Sequence, residues 1–132
     1  MSFSWDEYLS VAEALVRERG TLAPEEACCR AAISRAYYAA YGVARNHARD
    51  HEQLSLQRTG GDHQRILLHY RRRPDRSHQQ VAEWLFRLRR QRNQADYNDQ
   101  MPAAVTSVYV ALRRARQVLA VLETLPTGDS NA

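Results

Sequence analysis

The sequence predicts an all-α protein, an antiparallel four/five-helix bundle. Apolar residues recur at three- and four-residue spacing through four long segments, and no segment sustains the alternation of a half-buried strand. The glycines and prolines are scarce and are read as boundaries between the periodic segments. The 132 residues, with 44% apolar and 26% charged, suit one domain with a single core. Its expected limits are residues 1–124, with 125–132 as a flexible tail.

Helix one is expected over 5–18, opened by a Ser4/Glu7 capping box and closed by Gly20. Its stripe is Trp5, Leu9, Ala12 and Val16, flanked by Tyr8 and Leu15. Helix two, over 24–50, begins at Pro24, with Glu25 and Glu26 at the positive end of its dipole. Cys29, Ile33, Ala36, Tyr37, Ala40, Ala44 and His47 share its stripe, and the small alanines allow close approach of a neighbour. Tyr38 and Tyr41 fall on an adjoining face, so helix two is expected to have more than one neighbour. Residues 51–61 lack a helical period and read as a loop. Helix three, over 62–72, takes Asp62 as its cap, and Pro74 separates it from helix four, over 76–96. Val81, Leu85, Leu88, Arg92 and Ala95 step by four, three, four and three, with Trp84 and Gln91 beside them. Helix five, over 102–124, opens at Pro102 and is followed by Pro126; Met101, Ala104, Val105, Val108, Leu112, Ala115, Leu119 and Leu122 line its core face. Short connections make sequential neighbours roughly antiparallel.

Composition bounds the function. No run approaches the roughly 18 apolar residues of a membrane span, and the N-terminal residues lack the pattern of a signal peptide. The only cysteines, Cys28 and Cys29, are adjacent, which disfavours an intrachain disulfide; a reduced, cytoplasmic setting is the expectation. No cysteine or histidine spacing suggests a metal, and no cofactor is expected. The formal charge is +4, and every basic residue is arginine. Residues 58–92 hold ten arginines against Asp62, Asp75 and Glu83, a balance that suits phosphate-bearing partners or a solvated basic face. Within it, Arg71, Arg72 and Arg73 form a run.

Arg92 stands where the stripe of helix four calls for an apolar side chain. A guanidinium there needs a partner or a cleft. Asp96, one turn on, is the nearest partner; Tyr97 reaches Arg92 only if the helix ends near Asp96. One reading is an ion pair that locks helix four against helix five. The other is a binding cleft.

"SRAYYAAYGVARNHA" (34–48), "DHQRILLHY" (62–70) and "RNQADY" (92–97) together resemble the HEPN family of small helical-bundle proteins. The likeness spans roughly 5–122 and keeps the family's order: a second helix of "RAYYAAF" type, a His-led short helix, then a late arginine with "ADY". It implies an antiparallel bundle of a kind that often dimerises. Many such proteins are metal-independent ribonucleases, and many are encoded beside a minimal nucleotidyltransferase that acts as antitoxin; other branches bind nucleotides or nucleic acid without cleaving. The ribonuclease signature is an arginine followed, after four to six residues, by a histidine. Arg92 matches the arginine, but Tyr97 stands at the histidine position, and Asp99 stands where partner-modified toxins carry a tyrosine. Arg35 matches the arginine of "RAYY", with an exposed, acid-paired or interfacial role expected, and His63 matches the leading histidine.

The resulting expectation is a homodimeric binding module for a nucleotide, RNA or a partner protein in a prokaryotic two-gene module. Arg92 lines its cleft, Asp96 orients Arg92, and Asn93 and Tyr97 add polar contacts. Val110 and Val121, off the main stripe of helix five, and the two apolar faces of helix two motivate the dimer. A ribonuclease with a degenerate Arg-x4-Tyr motif is the alternative, with Arg92, Tyr97 and His63 as its candidate catalytic residues; it needs a titratable group near Arg92, from His63 or His47. A purely structural interaction protein is the third reading, and it requires Arg92 to be sealed by Asp96.

Overall fold

A computed structural model describes residues 2–128. The described residues form five α-helices: α1 (Glu7–Arg17), α2 (Glu25–His51), α3 (Asp62–Arg72), α4 (Arg76–Tyr97) and α5 (Ala104–Thr124). The helices pack as a bundle. The long α2 is its central element, in contact with all four others, and α3 lies mainly on α4.

The periodicities put the expected side chains inside. Ile33, Ala36 and Ala40 of α2, Val81 and Leu88 of α4, and Val108 and Ala115 of α5 have no accessible surface. Alanines at 32, 36, 40, 44 and 48 of α2 are all fully buried, which lets neighbouring helices approach its backbone. Because α2 has neighbours on several sides within the chain, its second apolar face needs no second copy to cover it. Val121 also packs on the core, which removes part of the sequence argument for a dimer.

Several local expectations are corrected. The Ser4/Glu7 capping box does not form: Asp6 takes the N-cap position without a side-chain cap bond, and the Ser4 hydroxyl donates to its carboxylate. Asp62 is not the cap of α3 but its first residue. Its carboxylate turns back to accept the N–H groups of Gln57 (3.1 Å) and Arg58 (2.7 Å), bracing the connection from α2. Leu125, the first residue of the expected tail, is buried in the core; residues 129–132 of that tail lie outside the described residues. Gly42 does not mark a boundary. It sits in the middle of α2, where a Cβ would come within 2.6 Å of the Trp5 ring. The position stays bare so that Trp5 can pack against the helix.

No described helix is long and apolar enough to cross a membrane.

Candidate functional site

Arg92 projects from α4 toward α2 rather than α5. The tie between α4 and α5 comes from its neighbour Gln91, whose amide donates to the carbonyl and hydroxyl of Ser107, both at 3.0 Å. Arg92 Nε lies 2.8 Å from Asp96 Oδ2, and the Ser34 hydroxyl of α2 donates to the same carboxylate oxygen at 3.2 Å. The i,i+4 pairing expected from sequence is therefore present, with an additional anchor on α2.

Asp96 does not seal the arginine. The Arg92 side chain keeps 18% of its surface and Asp96 keeps 26%. The guanidinium carbon sits 5.3 Å from the Tyr38 ring centroid and 5.2 Å from that of Tyr97. Its nitrogens donate to the Tyr97 hydroxyl at 3.3 Å and to the Asn93 amide oxygen at 3.2 Å. α4 ends at Tyr97, and that ending lets the ring of Tyr97 reach Arg92 across its own last turn. Tyr97 is 69% exposed, a large ring held at the surface by a cation. Burial works against the charge of Arg92, but Tyr38, Asp96 and Tyr97 outweigh it and hold its pKa above the ordinary arginine value.

Arg35, expected to be exposed, acid-paired or interfacial, is held by rings. It stacks on Tyr8 at 4.7 Å and on Tyr38 at 5.3 Å. Tyr8, Arg35, Tyr38, Arg92 and Tyr97 thus alternate ring and guanidinium across α1, α2 and α4. Tyr38 is the shared element, and its place on an adjoining face of helix two was the sequence signal for it.

His63 lies behind this ladder. It is half-buried, its ring stacks on Tyr41 at 4.1 Å with 8° between planes, and its Nδ1 is hydrogen-bonded to the Tyr37 hydroxyl. Burial, aided by the nearby charges of Arg89 and Arg92, pushes its pKa down to about 4, so the ring is neutral at pH 7. Burial also raises the Tyr37 hydroxyl well above the usual tyrosine range, so it keeps its proton beside His63.

Arg71, Arg72 and Arg73 are not part of this arrangement. They lie at the other end of α3, where Arg73 pairs with Glu52 at 3.4 Å and Arg71 stands 5.7 Å from the Phe86 ring. Sequence reading missed the group that Arg73 joins. Glu52, whose side chain is 5% exposed, accepts from His69 (2.7 Å), His78 (2.6 Å) and His47 (3.2 Å), and His78 reaches Asp75 with its other nitrogen at 2.7 Å. Burial alone would raise the Glu52 carboxyl; the hydrogen bonds from His69 and His78 outweigh it and bring its pKa down to about 2. Among the described residues no group of histidine, cysteine, aspartate or glutamate side chains is placed to hold a metal ion.

The fold and site define a helical-bundle protein with a half-open surface site of alternating arginines and aromatic rings. No family model, curated protein or solved structure matches the chain.

Proposed function

We propose that the chain binds a nucleotide or single-stranded RNA through Arg92, as a HEPN-like module. The observation that carries this reading is the state of Arg92: a guanidinium held between Tyr38 and Tyr97, partly accessible, with a single carboxylate beside it. A planar cation between the partly buried ring of Tyr38 and the exposed ring of Tyr97 supplies both halves of nucleic-acid recognition. Arginine forks meet phosphate oxygens, and aromatic faces stack on bases. The partial accessibility of Arg92 weighs against the purely structural reading. The likeness of "RAYY", "DHQ" and "RNQADY" to HEPN sequences supports the same conclusion and extends it to a dimeric module with a minimal nucleotidyltransferase partner.

The test is a fluorescein-labelled single-stranded RNA of eight nucleotides, titrated at low salt against wild type, Arg92→Met and Arg92→Lys. Wild-type binding should weaken steeply with salt. Arg92→Met should keep the fold and lose at least about tenfold in affinity, equivalent to roughly 1.4 kcal/mol. Arg92→Lys should not restore it, because lysine lacks the planar fork. A stable Arg92→Met protein with unaltered RNA affinity would refute the proposal.

One observation keeps the ribonuclease reading in view. His63, neutral at pH 7 and within the field of Arg92, is a titratable base on the same side of the bundle. Against it stands Tyr97 at the expected histidine position, so little or no cleavage is the expected outcome. RNA cleavage lost in both Arg92→Met and His63→Gln would establish the enzyme instead.

A further inference from the structure

A second concavity opens on the other side of Tyr38. Trp5, Tyr38 and His63 provide partly exposed ring surface, with Tyr41, only 6% exposed, behind them; Arg45 lies among them, and residues 58–60 form part of the rim. The groove measures about 450 Å³. Its depth depends on Gly42, which leaves room for Trp5 to lie on α2.

The charge inside it is unbalanced. Arg45 is half-buried, with its guanidinium carbon 4.6 Å from the Trp5 ring centroid and 5.7 Å from that of Tyr41. Its Nε donates to the Asn46 amide oxygen at 3.1 Å, and among the described residues it has no carboxylate partner at ion-pair distance. Burial lowers its pKa from the ordinary arginine value, the sign of a cation short of compensation. The acid that also lines the groove, Asp62, is committed elsewhere: its two oxygens hold the N–H groups of Gln57 and Arg58. Arg49 at the edge is paired with Asp50 at 2.8 Å. The groove therefore offers aromatic walls and one half-buried guanidinium without a counter-ion, with the exposed Arg58 on its rim as a further cation.

From this we infer that the groove is a binding site for a mononucleotide unit, its base against the partly exposed rings of Trp5 and His63 and its phosphate on Arg45. A planar ring answers the aromatic walls, and an attached anion supplies the partner that Arg45 lacks. The site meets the Arg92 ladder at Tyr38, so it adds a base-plus-phosphate subsite to the proposed RNA-binding face, and it rests on that reading only through this shared residue. The same unit has two sources, a free nucleotide or one residue of an RNA strand.

Trp5 is a built-in reporter. In a Trp84→Phe background it is the only tryptophan, and its emission can be titrated with AMP, adenosine, inorganic phosphate and an RNA tetramer. AMP should quench it saturably, with adenosine and phosphate each at least about tenfold weaker, since each supplies half of the contacts. Arg45→Gln should remove the AMP response while the melting temperature stays near that of the parent; Arg45→Lys should recover part of it. The tetramer exceeding AMP assigns the subsite to a strand, and AMP matching or exceeding it assigns the subsite to free nucleotide. Phosphate quenching as well as AMP would reduce the groove to an anion patch and overturn the inference. So would no response to any probe at millimolar concentration, or full AMP binding by Arg45→Gln. Arg92→Met is carried in parallel. AMP binding retained there, whatever happens to the RNA octamer, separates this site's success or failure from that of the Arg92 reading.

Discussion

The Glu52 and Arg92 clusters use the same chemical vocabulary to opposite ends. At Glu52 one carboxylate is surrounded by cations and donors: His47, His69, His78 and Arg73 converge on it, and its side chain is only 5% exposed. At Arg92 the cation is central, and most of its neighbours are rings rather than acids. The first cluster is saturated from within the chain and closed. It ties the end of α2 to α3 and α4. The second is satisfied only in part, and it is open. Polar groups that exhaust one another build the fold, whereas polar groups left with unused capacity and access to solvent are available to a ligand.

The largest expected effect tests the closed cluster. Glu52→Ala removes the acceptor shared by several buried donors and should destabilise the protein by roughly 3–5 kcal/mol, the usual cost of deleting one partner of a buried ion pair. Denaturant unfolding measures it. A loss near that of a surface substitution would mean that Glu52 does not organise the three helices. Gly42→Ala is expected next. The new Cβ meets the Trp5 ring at 2.6 Å, so Trp5 must move, at a cost of about 1–3 kcal/mol. A shift in Trp5 emission should accompany the lower melting temperature. Full stability together with unchanged emission would contradict the packing of α1 on α2.

Acid should act on the molecule in two pH windows. His63 has its pKa depressed to about 4, so the unfolded chain binds more protons than the native state between about 6.5 and about 4, and stability falls as pH drops through that range. His47 of the closed cluster, lowered by burial, adds to the same upper window. Glu52 is depressed to about 2, so its contribution is present above the ordinary glutamate range and is lost as pH falls from about 4.5 toward about 2. Melting temperatures measured from pH 7 to pH 2 should therefore decline in two stages. His63→Gln should flatten part of the upper stage and leave the lower one in place. An unaltered upper stage in His63→Gln would show that the ring is not held neutral by its surroundings.

The helices were legible because their information is local. The step of four and three through Val81, Leu85 and Leu88, and the prolines at 24, 74 and 126, mark segments that fold as read, whereas α5 starts at Ala104, past the Pro102 expected to open it, because Ala103 takes a left-handed conformation at its N-cap. The Arg92–Asp96 pair was legible for the same reason, since i,i+4 neighbours share a helix face. Asp62 misled because an acid at a helix start usually caps, whereas here it serves the preceding loop. Glu52 was invisible because its partners lie 17 and 26 residues away on other helices, and no period or spacing encodes such a meeting. The Arg45 groove escaped for a related reason: Trp5 reads as the first apolar residue of helix one, and only its packing on Gly42 brings it beside Arg45.

The smallest expected effect belongs to Tyr97→Phe, and it bears most closely on how the open cluster works. The ring of Tyr97 stands 5.2 Å from the Arg92 guanidinium, while its hydroxyl accepts from Arg92 at 3.3 Å. The hydroxyl bond is long and lies at the surface, so removing it should cost well under about 1 kcal/mol of stability. If Tyr97 serves by stacking, phenylalanine keeps the face and RNA affinity should change by less than about threefold, whereas Tyr97→Ala should lose roughly tenfold, in the range of one base–aromatic stack. If the hydroxyl instead acts as a proton donor to the ligand, phenylalanine and alanine should be equally damaging. Equal losses in both variants, accompanied by strand cleavage in wild type, would move Tyr97 from a stacking platform to the chemistry itself, and the contrast between a saturated cluster and one open to a ligand would become a contrast between scaffold and catalyst.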